Sequence, residues 1–283
     1  MDQFEYFYTP DLFDGIKKLN VVSVSGGKDL TATALLAIKQ KVENLIFVFA
    51  DTGNEAQITY DYIEYLDKKF RKLCGTGITK LKADFRERLE SRNLEEDIDG
   101  FPIAAKYTGI PILDLAQLYG KFPTARMRFC TGELKRDVIR QFFAKWLKSG
   151  YVVIDWQGIR SEESPARAKL LKYSLTDTYA NGGTLWRYLP ILNWKAQDCF
   201  DMLRRNHVKP NPLYAKGFSR VGCFPCINWK KEEIALMAKK FPERINEIRE
   251  WEKIVSGCRA DGNATFFLRG NIDETIKWAR NKK

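Results

Sequence analysis

A single histidine, His207, occurs in 283 residues. That scarcity excludes multi-imidazole metal centres and relays that need two histidines. Apolar runs long enough to cross a bilayer are also missing, and the segment Met1 to Glu5 lacks the basic-then-apolar pattern of a secretory leader. A cytoplasmic location with no membrane partner is therefore expected. In a reducing compartment the six cysteines are thiols or metal ligands before they are disulfides. No internal repeat or low-complexity tract is visible.

A hydrophobic fraction of 45% supports a substantial core, and the length suits one large α/β domain or a domain with an appendage. The net charge of +11 and a pI near 9.3 favour polyanionic partners through counterion release. Nucleic acid is one such partner; nucleotide alone, or a solvated surface with no partner, is the alternative.

Periodicity places buried strands at Val21 to Val24 and Leu45 to Ala50, with a helix between them that contains Leu35 to Ile38. Asn54 and Gln57 resemble a capping box before a helix whose apolar stripe is Ile58, Tyr62, Leu66 and Phe70. Ile78 to Leu81 reads as a weaker strand. Residues 84–128, charged and broken by Gly and Pro, predict helical pieces and a mobile loop. Glu133 to Leu147 predicts a helix, Tyr151 to Trp156 a strand, and Trp186 to Ile191 a strand close to an edge because Pro190 cannot donate to a ladder. This alternation implies an α/β fold, a doubly wound and mostly parallel sheet with ligands at the carboxyl ends of its strands. From Lys195 the pattern turns helical. The expected division is a nucleotide-binding α/β domain over 1–194 and a Cys-containing helical region over 195–283.

The first strand runs into Ser25-Gly26-Gly27-Lys28-Asp29. A strand that delivers two glycines and a lysine to a helix start gathers backbone N–H groups, hydroxyls (Ser23, Ser25) and an ammonium around one point, which suits a pyrophosphate. The Walker A spacing is absent. Asp29 either shares a Mg²⁺ ion with the phosphates or only favours the helix N-terminus.

This segment resembles the Ser-Gly-Gly-Lys-Asp-Ser signature of the PP-loop ATP pyrophosphatases, within them the phosphoadenosine phosphosulfate reductase-like branch. The resemblance implies an adenine nucleotide alpha hydrolase-like, Rossmann-like fold that binds ATP. The signature's last serine is Leu30 in this chain, so a phosphate-directed hydroxyl must come from Thr31 or Thr33 or be absent. Asp51-Thr52-Gly53-Asn54-Glu55 is similar to the family's Asp-Thr-Gly-x-Glu element, expected to read adenine or hold a metal. Gly158, Arg160, Ser164 and Arg167 resemble the Gly-x-Arg-x-x-Gln/Glu-Ser-x-x-Arg motif, in which the two arginines clamp the substrate's anionic group. The resemblance assigns catalytic roles to Lys28, Asp29, Arg160 and Arg167, and nucleotide contacts to the other residues of these motifs.

Gly222-Cys223-Phe224-Pro225-Cys226, preceded by Pro212-Leu213-Tyr214, is similar to the cysteine element of iron–sulfur adenylylsulfate reductases. There it joins an upstream Cys-Cys pair, which here is Phe129-Cys130. Cys130, Cys223 and Cys226 would supply three thiolates to a 4Fe-4S cluster, with Cys258 as the candidate fourth ligand; zinc and metal-free thiols are the alternatives. Cys74 and Cys199 read as buried small residues. Basic residues near Arg126, Arg128, Lys135, Arg136 and Arg140, and at Trp229-Lys230-Lys231 and Lys239-Lys240, either follow a phosphate backbone or form the solvated side of helices.

The resemblance implies that a phosphoadenosine phosphosulfate reductase carries its nucleophilic cysteine in a C-terminal Glu-Cys-Gly-x-His segment; no cysteine or histidine follows Cys258 in the sequence, so thiol-based sulfate reduction is expected to be disfavoured. The leading expectation is an enzyme that adenylates an oxygen with ATP and releases pyrophosphate before sulfur is incorporated. In this the chain looks like the ATP pyrophosphatase component of bacterial DNA phosphorothioation systems, which implies a sulfur-donor protein such as a cysteine desulfurase. The alternatives are a sulfonucleotide reductase-like or tRNA-thiolating enzyme, and a nucleotide-sensing interaction protein.

Overall fold

The computed structural model describes residues 15–92 and 105–281. Met1 to Glu5 and residues 93–104 of the expected 84–128 loop lie outside the described residues. The described strands are β1 (Lys18–Ser23), β2 (Leu45–Asp51), β3 (Ile78–Lys82), β4 (Val152–Trp156), β5 (Tyr173–Thr178) and β6 (Thr184–Tyr188). The first half carries helices α1 (Lys28–Lys39), α2 (Gln57–Cys74), α3 (Arg86–Arg92), α4 (Pro111–Tyr119), α5 (Phe129–Thr131) and α6 (Asp137–Lys148). The second half carries α7 (Pro165–Ala168), α8 (Ala196–Arg205), α9 (Pro212–Ala215), α10 (Lys231–Lys240), α11 (Pro242–Ser256) and α12 (Ile272–Arg280).

The strands form one sheet in the order β3-β2-β1-β4-β6-β5. β1 is parallel to β2 and β4, β4 is parallel to β6, and β5 returns antiparallel to β6. The strand order reverses between β1 and β4, and α/β sheets take ligands outside the carboxyl ends of the strands at such a point. The segments leaving β1 and β4 there are the Ser25–Asp29 turn and the stretch that begins at Gln157. The fold is therefore the expected α/β class, with one strand more than periodicity shows: β5, whose residues are largely solvent-facing, forms the edge, and β6 ends at Tyr188, before Pro190.

The chain divides into two compact units, one of Met1–Phe49, Tyr60–Lys80 and Ile139–Asn211, the other of Ala50–Thr59, Leu81–Val138 and Pro212–Lys283. In the first, Val22, Phe47, Leu66, Phe70, Trp156 and Tyr188 are buried together. Each fully buried side chain of this size contributes about 1.5–3 kcal/mol. Trp156 satisfies its indole N–H on Asn20 Oδ1 at 2.9 Å, so the two polar groups are buried at little cost. In the second unit, Leu113, Phe122, Phe224, Ile248 and Trp251 share a separate core.

Between α5 and α6 the chain makes one π-helical turn, Gly132–Arg136. The expected helix from Glu133 thus begins as regular α-helix only at Asp137. A π-turn inserts an extra residue and re-aims side chains, which is why such turns collect at functional sites. This one carries Lys135.

Candidate functional site

In the first unit, Gly26 sits at φ 73°, a conformation that favours glycine, and lets the chain reverse from β1 into α1. Gly27 is the N-cap of α1 and has no side-chain cap, so the helix presents its first N–H groups without a competing side-chain acceptor. Lys28 is buried at 8% exposure and its Nζ lies 3.1 Å from Asp29 Oδ2. On the other side, Arg160 Nε donates to Asp29 Oδ1 at 2.6 Å, and the same guanidinium bonds Glu162. Burial works against the charge of Arg160, but Asp29 and Glu162 outweigh it and raise its pKa. Ser23 ends β1 opposite Val48, and Ser25 is half-buried in the turn.

Gly158 explains how the two segments approach. A Cβ there would lie 2.9 Å from Asp29 C and from Leu30 N, closer than real Cβ contacts allow. Leu30 fills the space beside it. The hydroxyls expected to replace the signature serine are spent: Thr31 Oγ1 donates to Gly27 O and Thr33 Oγ1 to Asp29 O, each at 2.9 Å. Neither is aimed at a phosphate.

Arg167 does not join Arg160 on Asp29. Its guanidinium pairs with Glu163, and Ser164 Oγ accepts from Arg167 N–H as the cap of α7. Cys74, read from sequence as a buried small residue, is exposed, whereas Cys199 keeps that reading. It is fully buried on α8, and burial first, then Asp29, push its thiol pKa up. Its partner becomes visible only when α8 is packed against α1. Phe200, the next residue, lies 6.0 Å below Lys28 Nζ.

The second unit assembles a different cluster. Glu55 and Cys223 form an isolated antiparallel bridge, which sets the Thr52–Glu55 segment against the Cys-x-x-Cys loop. Thr52 Oγ1 donates to Glu55 Oε1 at 2.8 Å and lies 3.9 Å from Cys223 Sγ. Gly53, at φ 71°, has no room for a Cβ against Pro111 at 2.8 Å. Gly53 N–H donates to Asp51 Oδ1, closing the turn. Asn54 Nδ2 donates to Pro225 O at 2.9 Å, and Arg244 Nε to Phe224 O at 2.8 Å, so both side chains pin the cysteine loop.

Lys135 Nζ lies 3.4 Å from Cys223 Sγ. This lysine is turned inward, so it does not belong to the expected basic patch. Cys223, with Glu55, holds it protonated against the cost of burial. Burial pushes the Cys223 thiol up to about 11 while Lys135 pulls it down. Cys130 is also raised by burial, and its electrostatic neighbours are Lys135 and Cys226.

Cys258 is not in this group. Its Sγ faces Gln117 Oε1 at 3.8 Å and Ile254 O at 3.5 Å, with Arg92 as its charged neighbour. Among the described residues no three Cys, His, Asp or Glu side chains converge as a metal site. Lys135 and Cys223 are in contact, with Cys130 and Cys226 as electrostatic neighbours, and among the described residues these thiols form no metal cage. A sulfur-binding group of negative charge would find a counter-ion in Lys135. Trp229, beside the basic Lys230 and Lys231, is packed in the core against Phe218 and Phe224. No described helix is long and apolar enough to cross a membrane.

Comparison with known proteins matches the sequence to a family. The profile of the "Phosphoadenosine phosphosulfate reductase domain" matches residues 19–100 and 125–250. An uncharacterized 37.8 kDa protein of Escherichia phage 186 is 40% identical over 271 residues, covering 88% of this chain and 79% of that protein. An uncharacterized protein of Methanocaldococcus jannaschii is 29% identical over 226 residues, covering 80% of this chain but 45% of its own length. A phosphoadenosine 5'-phosphosulfate reductase of Buchnera aphidicola is 25% identical over 202 residues, covering 71% of this chain and 68% of the reductase. The chain belongs to the phosphoadenosine phosphosulfate reductase domain family, and with it to the PP-loop ATP pyrophosphatase superfamily.

Proposed function

We propose that the chain binds ATP at the Ser25–Asp29 turn and adenylates an acceptor oxygen. The observation that carries this reading is the uncapped N-terminus of α1 with the buried Lys28 ammonium beside it. Backbone N–H groups, the helix dipole and Lys28 converge on one anion, in a place where water screens them little. The acceptor oxygen attacks the α-phosphorus, the α–β bridging bond breaks, and pyrophosphate leaves with the electron pair. Lys28 and the α1 amides take up the charge that develops on it. Arg160, held by Asp29 and Glu162 before ligand arrives, exchanges the Asp29 contact for a phosphate oxygen. Asp29 would then hold Mg²⁺ together with phosphate oxygens; one carboxylate is enough, because this ion takes most of its ligands from phosphate and water.

The acceptor we favour is a nucleic-acid phosphate, as in phosphorothioate modification of DNA, which suits the net charge of +11. A donor protein of the cysteine desulfurase type would carry the sulfur as a persulfide; a second thiol attacks its inner sulfur, forming a disulfide and freeing sulfide, and the sulfide displaces AMP from the activated phosphorus, the P–S bond forming as the P–O bond to AMP breaks. Cys130, Cys223, Cys226 and Lys135 are assigned to handling that sulfur. No step is routed through a cluster, and iron, zinc and sulfide analysis of anaerobically purified protein decides between metal and reduced thiols. The experiment for the reading as a whole is pyrophosphate release from Mg·ATP in the presence of duplex DNA and a sulfide source, with loss in Lys28→Ala.

A second reading, a sulfonucleotide reductase-like enzyme, draws on the thiol group beside Lys135 and on similarity to the Buchnera reductase. Release of sulfite from a sulfonucleotide without pyrophosphate formation from ATP would favour it.

A further inference from the structure

We infer that the groove between α10 and α12 is a docking surface for the sugar-phosphate backbone of a nucleic-acid strand. The groove is open, with a volume of about 1060 Å³, and its lining includes Ala235, Ala238 and Ala279. Ala238 and Ala279 are buried at 3% and 7% exposure, so they bring the two helices close together and leave the charged side chains as the accessible wall of the groove. Lys231, Lys239 and Arg280 line the same groove, with Glu232 the one acid among its lining residues.

The acids nearby do not neutralise these cations. Asp273 is taken by Arg249, and Glu274 caps α12 through the Asn271 N–H. Glu252 accepts from the Phe266 and Ile272 N–H groups, and Glu233 from Ser219 Oγ and the Lys230 N–H. Among the described residues, none of Lys231, Lys239 and Arg280 has a carboxylate within salt-bridge distance; Lys231 Nζ and Arg280 Nη2 bond only the backbone carbonyls of Asn281 and Ala238. Lys231 also sits 5.3 Å over the Trp278 ring, whose other cationic neighbour is Arg269 at 4.0 Å. Backbone-carbonyl and aromatic contacts hold Lys231 and Arg280 in place without cancelling their charge, and Lys239 is exposed beside them. Cations without carboxylate partners match a repeating phosphodiester, whose phosphates recur whatever the bases.

The surface is argued from charge and shape alone, and its test does not depend on ATP turnover. Fluorescence anisotropy of the full chain is measured with labelled 20-mers of single-stranded DNA, duplex DNA and RNA, from low to moderate salt. With three phosphates contacted, log K falls against log salt with a slope of about −2 for a single strand and about −3 for a duplex. The variant Lys239→Glu/Arg280→Glu loses at least tenfold in affinity and flattens the slope by more than one. The control Lys68→Glu/Lys253→Glu makes the same charge change elsewhere and keeps affinity within threefold. Circular dichroism and ATP binding, unchanged in both, separate this outcome from misfolding and from failure at the nucleotide turn. Equal losses in the two variants, no oligonucleotide binding by the wild type, or equal affinity for a poly-glutamate of matched charge overturns the proposal.

Discussion

Arg160 Nε and Asp29 Oδ1, 2.6 Å apart, tie the segment after β4 to the first turn of α1. The guanidinium is almost wholly buried, at 5% side-chain exposure, so truncating it leaves the partly buried Asp29 carboxylate with Lys28 as its remaining cation and releases Glu162. Arg160→Met is expected to cost about 3 kcal/mol of stability, read as the urea midpoint, and to weaken ATP binding. Arg160→Lys keeps the charge but loses the fork that reaches Asp29 and Glu162 together, and recovers only part of both.

Gly158→Ala tests the same junction by bulk alone. The added methyl has no space against Asp29 and Leu30 backbone atoms, so the two segments separate. A stability loss of about 1–3 kcal/mol is expected, with ATP affinity falling more than tenfold.

These contacts also mark what could be read from sequence. The βα turn and the buried strands at Val21 and Phe47 follow from local composition, because strand periodicity and turn chemistry act within a few residues, whereas Gly158 is marked only by its resemblance to a family motif. The β5 edge strand escaped, since its solvent-facing residues, such as the half-exposed Leu175, carry no apolar alternation. Cys199 beside Asp29 and Lys135 beside Cys223 escaped as well: each pairing joins residues far apart in the chain and needs helix packing or a π-turn to exist. The separation of Cys258 from the other three cysteines has the same origin, as no spacing rule says where the end of α11 lies. The spatial units, each assembled from distant segments, likewise do not follow a single cut along the chain.

Cys223 reactivity should move in opposite directions in two variants. Lys135 lowers its pKa and Glu55 raises it, on top of the dominant effect of burial. Lys135→Met is expected to slow alkylation of Cys223 at pH 9, and Glu55→Gln to speed it, each by several-fold, followed by mass spectrometry of the labelled peptide. Equal shifts in one direction would mean that only access has changed.

Asp155 supplies a pH dependence. Burial raises its carboxyl to about 6, opposed by Gln157, Arg187 and Arg140, and its Oδ1 has no hydrogen-bond partner. Arg140 is shared with Asp177, with which it pairs. The folded state therefore holds the proton more tightly than the unfolded chain. Stability contributed by the protonated form is present below about pH 4 and is lost as pH rises through about 6, to the extent of roughly 2–3 kcal/mol. Asp155→Asn should flatten urea stability between pH 5 and 8 and be more stable than the wild type at pH 8.

Leu30→Ser restores a hydroxyl at the first turn of α1. Because Thr31 and Thr33 are committed to helix carbonyls, the new hydroxyl has no internal competitor. ATP affinity should rise about fivefold, equivalent to one hydrogen bond of about 1 kcal/mol, while Thr33→Val leaves it unchanged.

The central claim, an adenine nucleotide held by the Ser25–Asp29 turn, is tested most directly by titration calorimetry with α,β-methylene ATP, which binds without turnover. The account predicts saturable one-site heat for the wild-type chain and its loss in Lys28→Ala. Equal heats in the two proteins, or none in the wild type, would contradict it.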